Sequence, residues 1–129
     1  MDPSELLLED DLAFLQRKGW VYQLHPPATN GTSDLYIVFP NFPLSERYIP
    51  REVKLLLKLP AGYPDNGIDM WWTIPYVVVT ETNQQPQATE VREDLLGEKW
   101  QRWSRHLTWR PGEDSLESFF MHVIKELKS

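Results

Sequence analysis

The sequence contains no cysteine, and this absence removes several kinds of chemistry at once. None of its 129 residues is a cysteine, so the chain has no disulfide, no thiolate metal site and no thiol nucleophile. Such a composition fits a reducing compartment, because structural disulfides are typical of oxidising ones. The three histidines are scattered, and no His, Asp and Glu group has the spacing of helical metal ligands. We therefore expect neither a metal site nor a cofactor.

Long apolar runs and basic tracts are also missing. No apolar stretch approaches the ~20 residues that a membrane helix needs. The acidic N-terminus, MDPSELLLEDD, lacks the basic-then-apolar profile of a signal peptide. The formal net charge is -6 and no run of Lys and Arg offsets it, so we expect neither nucleic acid nor a membrane surface as a partner. These absences predict a soluble, cytoplasmic protein.

The length and the balance of residue types that are present predict one globular domain. A chain of 129 residues is long enough to bury a single core and too short for two. Hydrophobic residues make up 41% and charged residues 25%, which is the balance of a soluble globular protein. We expect a single domain over residues 1–129.

Hydrophobic periodicity predicts an α+β fold with a helix at each end. The first helix is predicted over 4–18, with Ser4 as its cap and Gly19 as its stop. The last, over 114–128, is strongly amphipathic, and His122 is expected on its polar side. The segments between them predict a four-stranded antiparallel meander, with strands at 20–25, 35–40, 52–60 and 70–79.

Two features of this middle region bear on the site. Residues 80–95 are polar and have no clear period, so we expect an irregular path over the surface. Trp71 and Trp72 are adjacent in a predicted strand, which directs them to opposite faces of the sheet. We expect one of them in the core and the other partly exposed.

The stretch GEKWQRWSRHLTWRPGED, residues 97 to 114, stands out in an otherwise acidic chain. It holds Trp100, Trp103 and Trp109 together with three arginines and one histidine. Trp and Arg dominate binding hot spots because they join a large contact area to a directional polar group. Alternatively, the tryptophans anchor the segment to the sheet and the arginines stack on them. The composition alone allows both interpretations.

Two motifs resemble those of the ubiquitin-conjugating enzyme (UBC) fold. That fold begins with a helix, continues through a four-strand meander and reaches a Tyr-Pro turn, which LKLPAGYPDNGIDMWW matches at Tyr63 and Pro64. It then has an irregular active-site segment and a Trp-x-Pro signature before a helix. TWRPGEDSLESFFMHVIKEL matches that signature from Trp109 to Pro111. The resemblance therefore implies a UBC-like fold.

Three segments in order resemble a bacterial branch, prokaryotic UBC family E. They are an LPxGYPD segment at 59–65, a PQAT segment at 86–89 and a WQRWSRH…WRPG segment at 100–112. The resemblance extends from about residue 8 to the C-terminus. It implies a setting beside a ubiquitin-like protein, a ThiF-like ubiquitin-activating enzyme and a JAB-type peptidase.

One departure from the family pattern concerns the mechanism. Active conjugating enzymes carry a cysteine shortly before the Trp of Trp-x-Pro. The residue eight positions before Trp109 is Gln101, and the residue three positions after Gly97 is Trp100. Neither candidate position holds a nucleophile. The supporting His-Pro-Asn motif is also missing from residues 70–100. The resemblance therefore implies a non-catalytic protein that binds the ubiquitin-like protein, its activating enzyme, or both.

A partner-binding surface is expected on the same segment. A ubiquitin-like tail presents backbone carbonyls and a carboxylate, which guanidinium groups bind well. The candidate contact residues are Trp100, Arg102, Trp103, Arg105, His106 and Arg110.

Two other interpretations remain open. In the first, Ser104 accepts an acyl group and His106 acts as its base. Residues two apart on an extended segment point to the same side, so these two side chains could be in contact. No third residue that orients the histidine is evident from the sequence. In the second, the chain is a plain scaffold or oligomerisation domain.

Overall fold

Four helices and eight strands form over residues 2–129, the part of the chain that the computed structural model describes. Met1, the first residue of the predicted domain, lies outside that part. The helices are Pro3–Leu6 (α1), Glu9–Lys18 (α2), Pro27–Asn30 (α3) and Leu116–Leu127 (α4). The strands are Gln23–His25 (β1), Leu35–Pro43 (β2), Tyr48–Ile49 (β3), Glu52–Leu59 (β4), Trp71–Ile74 (β5), Val78–Val79 (β6), Arg92–Leu95 (β7) and Glu98–Trp103 (β8). In these residues no helix is both long and apolar enough to cross a membrane.

The main sheet has six strands, so the predicted four-stranded meander is incomplete. The order is β1-β2-β4-β5-β8-β7, and every neighbouring pair is antiparallel. The first four strands in this order correspond to the predicted ones, but the strand predicted over 70–79 is divided into β5 and β6, and β6 pairs with β3 in a separate two-stranded sheet. The other two strands of the main sheet form a hairpin from residues that were expected to be irregular. Its turn, Leu96 and Gly97, has positive φ at both positions (53° and 78°). Leucine is not a usual residue for such a turn, so the sequence carried no hairpin signal there.

The helices at the two ends follow the prediction with local differences. The first predicted helix is broken at Leu7 and Leu8, whose backbones are extended, and this break places Leu7 in the core. Gly19 ends α2 at a φ of 70°, as expected of a helix stop. At the other end, Ser115 and Ser118 form the capping box of α4.

Side chains are buried on both faces of the sheet. The larger core lies against α2 and α4 and includes Phe14, Phe120 and Trp71. A smaller cluster on the other face includes Trp72 and Trp100. Trp71 and Trp72 therefore do point to opposite faces, but the expected partial exposure is wrong, since they are 0% and 2% exposed. The added hairpin widens the sheet beside Trp72, and Lys58 Nζ lies 4.2 Å from its ring centroid.

Candidate functional site

The Tyr-Pro and Trp-x-Pro motifs meet in space and frame the candidate segment. The Tyr63 hydroxyl donates to Asp11 Oδ2 over 2.7 Å and accepts from the Leu116 amide over 2.8 Å, which joins α2 to the start of α4. Trp109 Nε1 donates to the Pro64 carbonyl over 2.8 Å. Two motifs that are far apart in the sequence thus form one structural unit beside α4.

Replacing Tyr63 by phenylalanine is expected to destabilise this unit. Burial raises the pKa of the Asp11 carboxyl, and the Tyr63 hydroxyl opposes that shift by donating to it. Tyr63→Phe leaves Asp11, which is 2% exposed, and the Leu116 amide without this partner. We expect a loss of about 2 kcal/mol in the free energy of unfolding at neutral pH. Urea denaturation of Tyr63→Phe beside Tyr76→Phe, a change of an exposed tyrosine, measures it; equal midpoints would contradict the bridging role.

Gln101, the residue reached by counting back from Trp109, is buried in the core. Gln101 is 0% exposed. Its Oε1 accepts from the Val77 amide over 2.6 Å and its Nε2 donates to the Val77 carbonyl over 3.1 Å. The neighbouring candidate, Trp100, is 1% exposed and donates from Nε1 to the Leu95 carbonyl. Both side chains hold backbone segments in place, and neither reaches the surface.

Trp100 and Trp103 do not form an exposed aromatic surface. They are three residues apart on β8, so they enter the cores on opposite faces of the sheet. Trp103 is 0% exposed, stacks on Trp71 and donates from Nε1 to Thr73 Oγ1 over 2.9 Å. Burial removes both tryptophans from direct contact with a partner. Of the three tryptophans of the stretch, only Trp109 is half-buried.

The three candidate arginines lie at the surface, and each is held by a carboxylate. Arg102 pairs with Glu93 at 3.1 Å, and Arg110 pairs with Asp114 at 3.2 Å. Arg105 is the least exposed of the three, with 19% of its side chain accessible, and pairs with Glu126 at 2.7 Å. These contacts fix the guanidinium groups in defined positions.

His106 has a partner that the sequence did not reveal. Its Nδ1 lies 2.6 Å from Asp69 Oδ1, and 64% of the His106 side chain is exposed. The two residues are 37 positions apart, so no local spacing signals the pair. The contact orients the imidazole and leaves Nε2 free to face solvent or a partner, as in histidines that act as general bases.

Ser104 and His106 are not brought together. The Ser104 hydroxyl accepts from Arg102 Nε over 3.3 Å, and across residues 2–129 no hydrogen bond joins it to His106. The Ser104 amide donates to the Ala88 carbonyl, and the Arg105 carbonyl accepts from the Met70 amide. Ala88 and Met70 have φ of 58° and 61°. Such left-handed geometry costs about 1–3 kcal/mol at a residue with a side chain and is concentrated at functional sites.

A polar cleft of about 470 Å³ opens beside this segment. Ser104, Arg105, Arg47, Glu126 and residues 86–88 line it. Glu126 accepts from Arg105 Nε at 2.7 Å and from Arg47 Nη2 at 3.3 Å. Burial favours a higher pKa for the Glu126 carboxyl, but the hydrogen bonds and charges of the two arginines outweigh it and hold the pKa below its usual range. The carboxylate is therefore ionised at neutral pH.

His122 lies one turn before Glu126 on α4, in contact with the core. It is not on a fully solvated side of α4, because its ring packs edge-on against Trp71 and Phe119. Its Nε2 is buried, and no hydrogen-bond partner is found for it in the described residues. Burial lowers the pKa of His122; Lys125 and Arg105 lower it further, and Glu126 opposes them.

The buried imidazole predicts a loss of stability in mild acid. The folded pKa lies below the unfolded value of about 6.5, so the unfolded chain binds a proton first as the pH falls. The free energy of unfolding should fall below about pH 6.5, by at most about 1.4 kcal/mol per pH unit from this group. Urea denaturation from pH 7.5 to 5 checks it. In His122→Phe the slope should be smaller; an unchanged slope would contradict the prediction.

Comparison with known proteins agrees with these motifs. The family model described as Prokaryotic E2 family E matches residues 7–129, which is nearly the whole chain. No curated protein and no solved structure matches the chain. The family points to a role in bacterial ubiquitin-like conjugation and, in general terms, to interaction with ubiquitin-like proteins and their activating enzymes. With a match of this extent, the chain belongs to prokaryotic E2 family E.

Proposed function

We propose that the chain is a non-catalytic, UBC-like, single-domain protein of a bacterial ubiquitin-like conjugation pathway. It binds the ubiquitin-like modifier, its ThiF-like activating enzyme, or both, in the cytoplasm. The observation that carries this proposal is the sealed position of Gln101. Where an active relative would expose a cysteine, this side chain instead pairs with both polar groups of Val77 inside the core.

The proposed binding surface consists of the arginine and histidine side chains of the segment that reach the surface. Arg102, Arg105, His106 and Arg110 reach the surface there, and the buried Trp100 and Trp103 anchor β8 to the cores on the two faces of the sheet. Guanidinium groups bind carboxylates and backbone carbonyls through several parallel hydrogen bonds. Because their carboxylate partners already fix these side chains, little side-chain entropy is lost when a partner binds.

Calorimetry with the modifier and the activating enzyme tests this proposal. Wild-type protein is expected to bind at least one of them, and Arg102→Ala should weaken that binding about tenfold or more, which is about 1.4 kcal/mol. Arg17→Ala is the matched control, since Arg17 is also paired with a glutamate but lies on α2. Absence of binding to both partners, or equal effects of the two substitutions, contradicts the proposal.

The His106–Asp69 pair favours a second candidate, acyl transfer. In that reaction Ser104 Oγ attacks the carbonyl carbon of the modifier's thioester on the activating enzyme, His106 takes the serine proton, and the thiolate leaves. The pair supplies the oriented base, but Ser104 has to leave Arg102 to reach it.

Intact-mass analysis separates the two candidates. The protein is incubated with activating enzyme, ATP and modifier. An adduct that hydroxylamine removes, and that is absent in both Ser104→Ala and Asp69→Asn, supports transfer. If the wild-type protein binds the modifier but carries no adduct, the result supports the non-catalytic proposal.

A further inference from the structure

The cleft beside Ser104 has an unusual arrangement of charge. Arg17, Lys54 and Arg102 each face one glutamate, whereas Arg47 and Arg105 share a single carboxylate, that of Glu126. The two guanidinium groups come from separate parts of the chain and converge on opposite oxygens of that carboxylate. They leave one positive charge in excess at the cleft.

We propose that this cleft binds the free C-terminal carboxylate of an extended peptide. Arg105 and Arg47 form the carboxylate site, and Glu126 is a tethered carboxylate that competes with the ligand. The inference rests on the proposed function only for the source of the peptide, which we take to be the tail of the modifier.

The seated Glu126 carboxylate is the direct evidence for the chemistry of the ligand. It shows that the two guanidinium groups are spaced to receive one carboxylate, with N–O distances of 2.7 and 3.3 Å. Charge-assisted contacts of this kind are about twice as strong as neutral hydrogen bonds. A peptide carboxylate has the same two oxygens and can take the same positions.

The two arginines differ in exposure in a way that suits exchange of one carboxylate for another. Arg105 is the fixed group: its side chain is 19% exposed, lies over the Trp103 ring and also donates to the Gln87 carbonyl. Arg47 is 53% exposed and also contacts the Tyr48 hydroxyl. It can therefore follow an incoming carboxylate, while Arg105 keeps the position of the site.

The remainder of the cleft fits a short peptide backbone. Its volume of about 470 Å³ lies within the range of ligand pockets. Ser104 supplies a hydroxyl that can donate to a peptide carbonyl, since it accepts from Arg102 in the free protein. Val79, Pro86 and Ala88 form apolar walls and carry no bulky side chain. These dimensions favour a tail of small residues.

Fluorescence anisotropy with two labelled peptides tests the inference. Both carry the last residues of the modifier, one with a free C-terminal carboxylate and the other with a C-terminal amide. We expect the free acid to bind the wild-type protein about tenfold more tightly than the amide. Arg105→Gln should abolish this preference, and Glu126→Gln should tighten binding of the free acid severalfold.

The controls separate folding from binding. Arg47→Gln changes the more exposed arginine and should reduce the same preference even if Arg105→Gln is unstable; circular dichroism checks both. If free acid and amide bind equally, or if neither peptide binds, the inference is overturned. Calorimetry with the intact modifier tests the proposed function separately. If the modifier binds and Arg47→Gln does not weaken that binding, the proposed function is retained and the carboxylate site is rejected.

Discussion

Gly67→Ala is expected to displace the Trp109 indole and to lower the free energy of unfolding by about 3 kcal/mol. A Cβ atom at Gly67 would lie 2.3 Å from Trp109 Cγ and 2.5 Å from Cδ2. The indole cannot retreat freely, since its Nε1 is bonded to the Pro64 carbonyl. The glycine is thus required by the close packing of the two motifs. Urea denaturation measures the loss, and the Trp109 indole N–H resonance reports the displacement.

Two further variants test whether the steric clash with Trp109 causes the loss of stability in Gly67→Ala. Gly97 has a φ of 78° and no atom within 4 Å of an added Cβ, so Gly97→Ala tests backbone geometry alone and should cost about 1 kcal/mol. In a Trp109→Ala background, Gly67→Ala should have little further effect, because the clashing ring is gone. A full loss in that background would show that the indole is not the cause.

Gln101→Cys is expected to produce a destabilised protein that still forms no thioester. The substitution leaves the Val77 amide and carbonyl without partners in the core. Each buried unpaired group costs about 1–3 kcal/mol, so we expect a loss of about 3 kcal/mol. The new thiol would also be enclosed on a strand between β5 and β7. A thiol at this position is therefore not expected to be accessible.

Thiol reactivity gives a clear measurement, because the wild-type chain contains no cysteine. In the native protein Gln101→Cys should react with a disulfide reagent far more slowly than Thr108→Cys, whose position on the same segment is exposed. Both thiols should react at similar rates in urea. Fast native labelling of Gln101→Cys, or a thioester formed with the activating enzyme, would contradict the sealed position.

The sequence predicted the elements whose own residues carry a strong pattern. The α4 stripe, the Gly19 stop and the first four strands of the sheet were all predicted, although the strand predicted over 70–79 ends at Ile74 in this sheet. The β7–β8 hairpin was missed, because β7 is short and polar and the turn uses leucine at a positive φ. Its pairing is stabilised by burial of Trp100 and Trp103, which depends on the rest of the sheet.

The sequence predicted only part of the candidate site, because it identified the segment but not the residues that contact it. The sequence directed attention to residues 100–110, and the arginines and His106 there lie at the surface. Their partners Asp69, Glu93 and Glu126 had no signal, because each lies outside that segment. Trp100 and Trp103 were ambiguous until their positions on β8 placed them in two different cores.

The sequence by itself determined that these 129 residues include no thiol, that the ends form helices, and that the motifs are those of prokaryotic E2 family E. Only the tertiary structure decided that Gln101 is buried and hydrogen-bonded to the Val77 backbone, that His106 is oriented by Asp69, and that two arginines share one carboxylate. Composition and periodicity are local properties, whereas these contacts join residues 21 to 79 positions apart. The strand register and the packing of α4 bring them together.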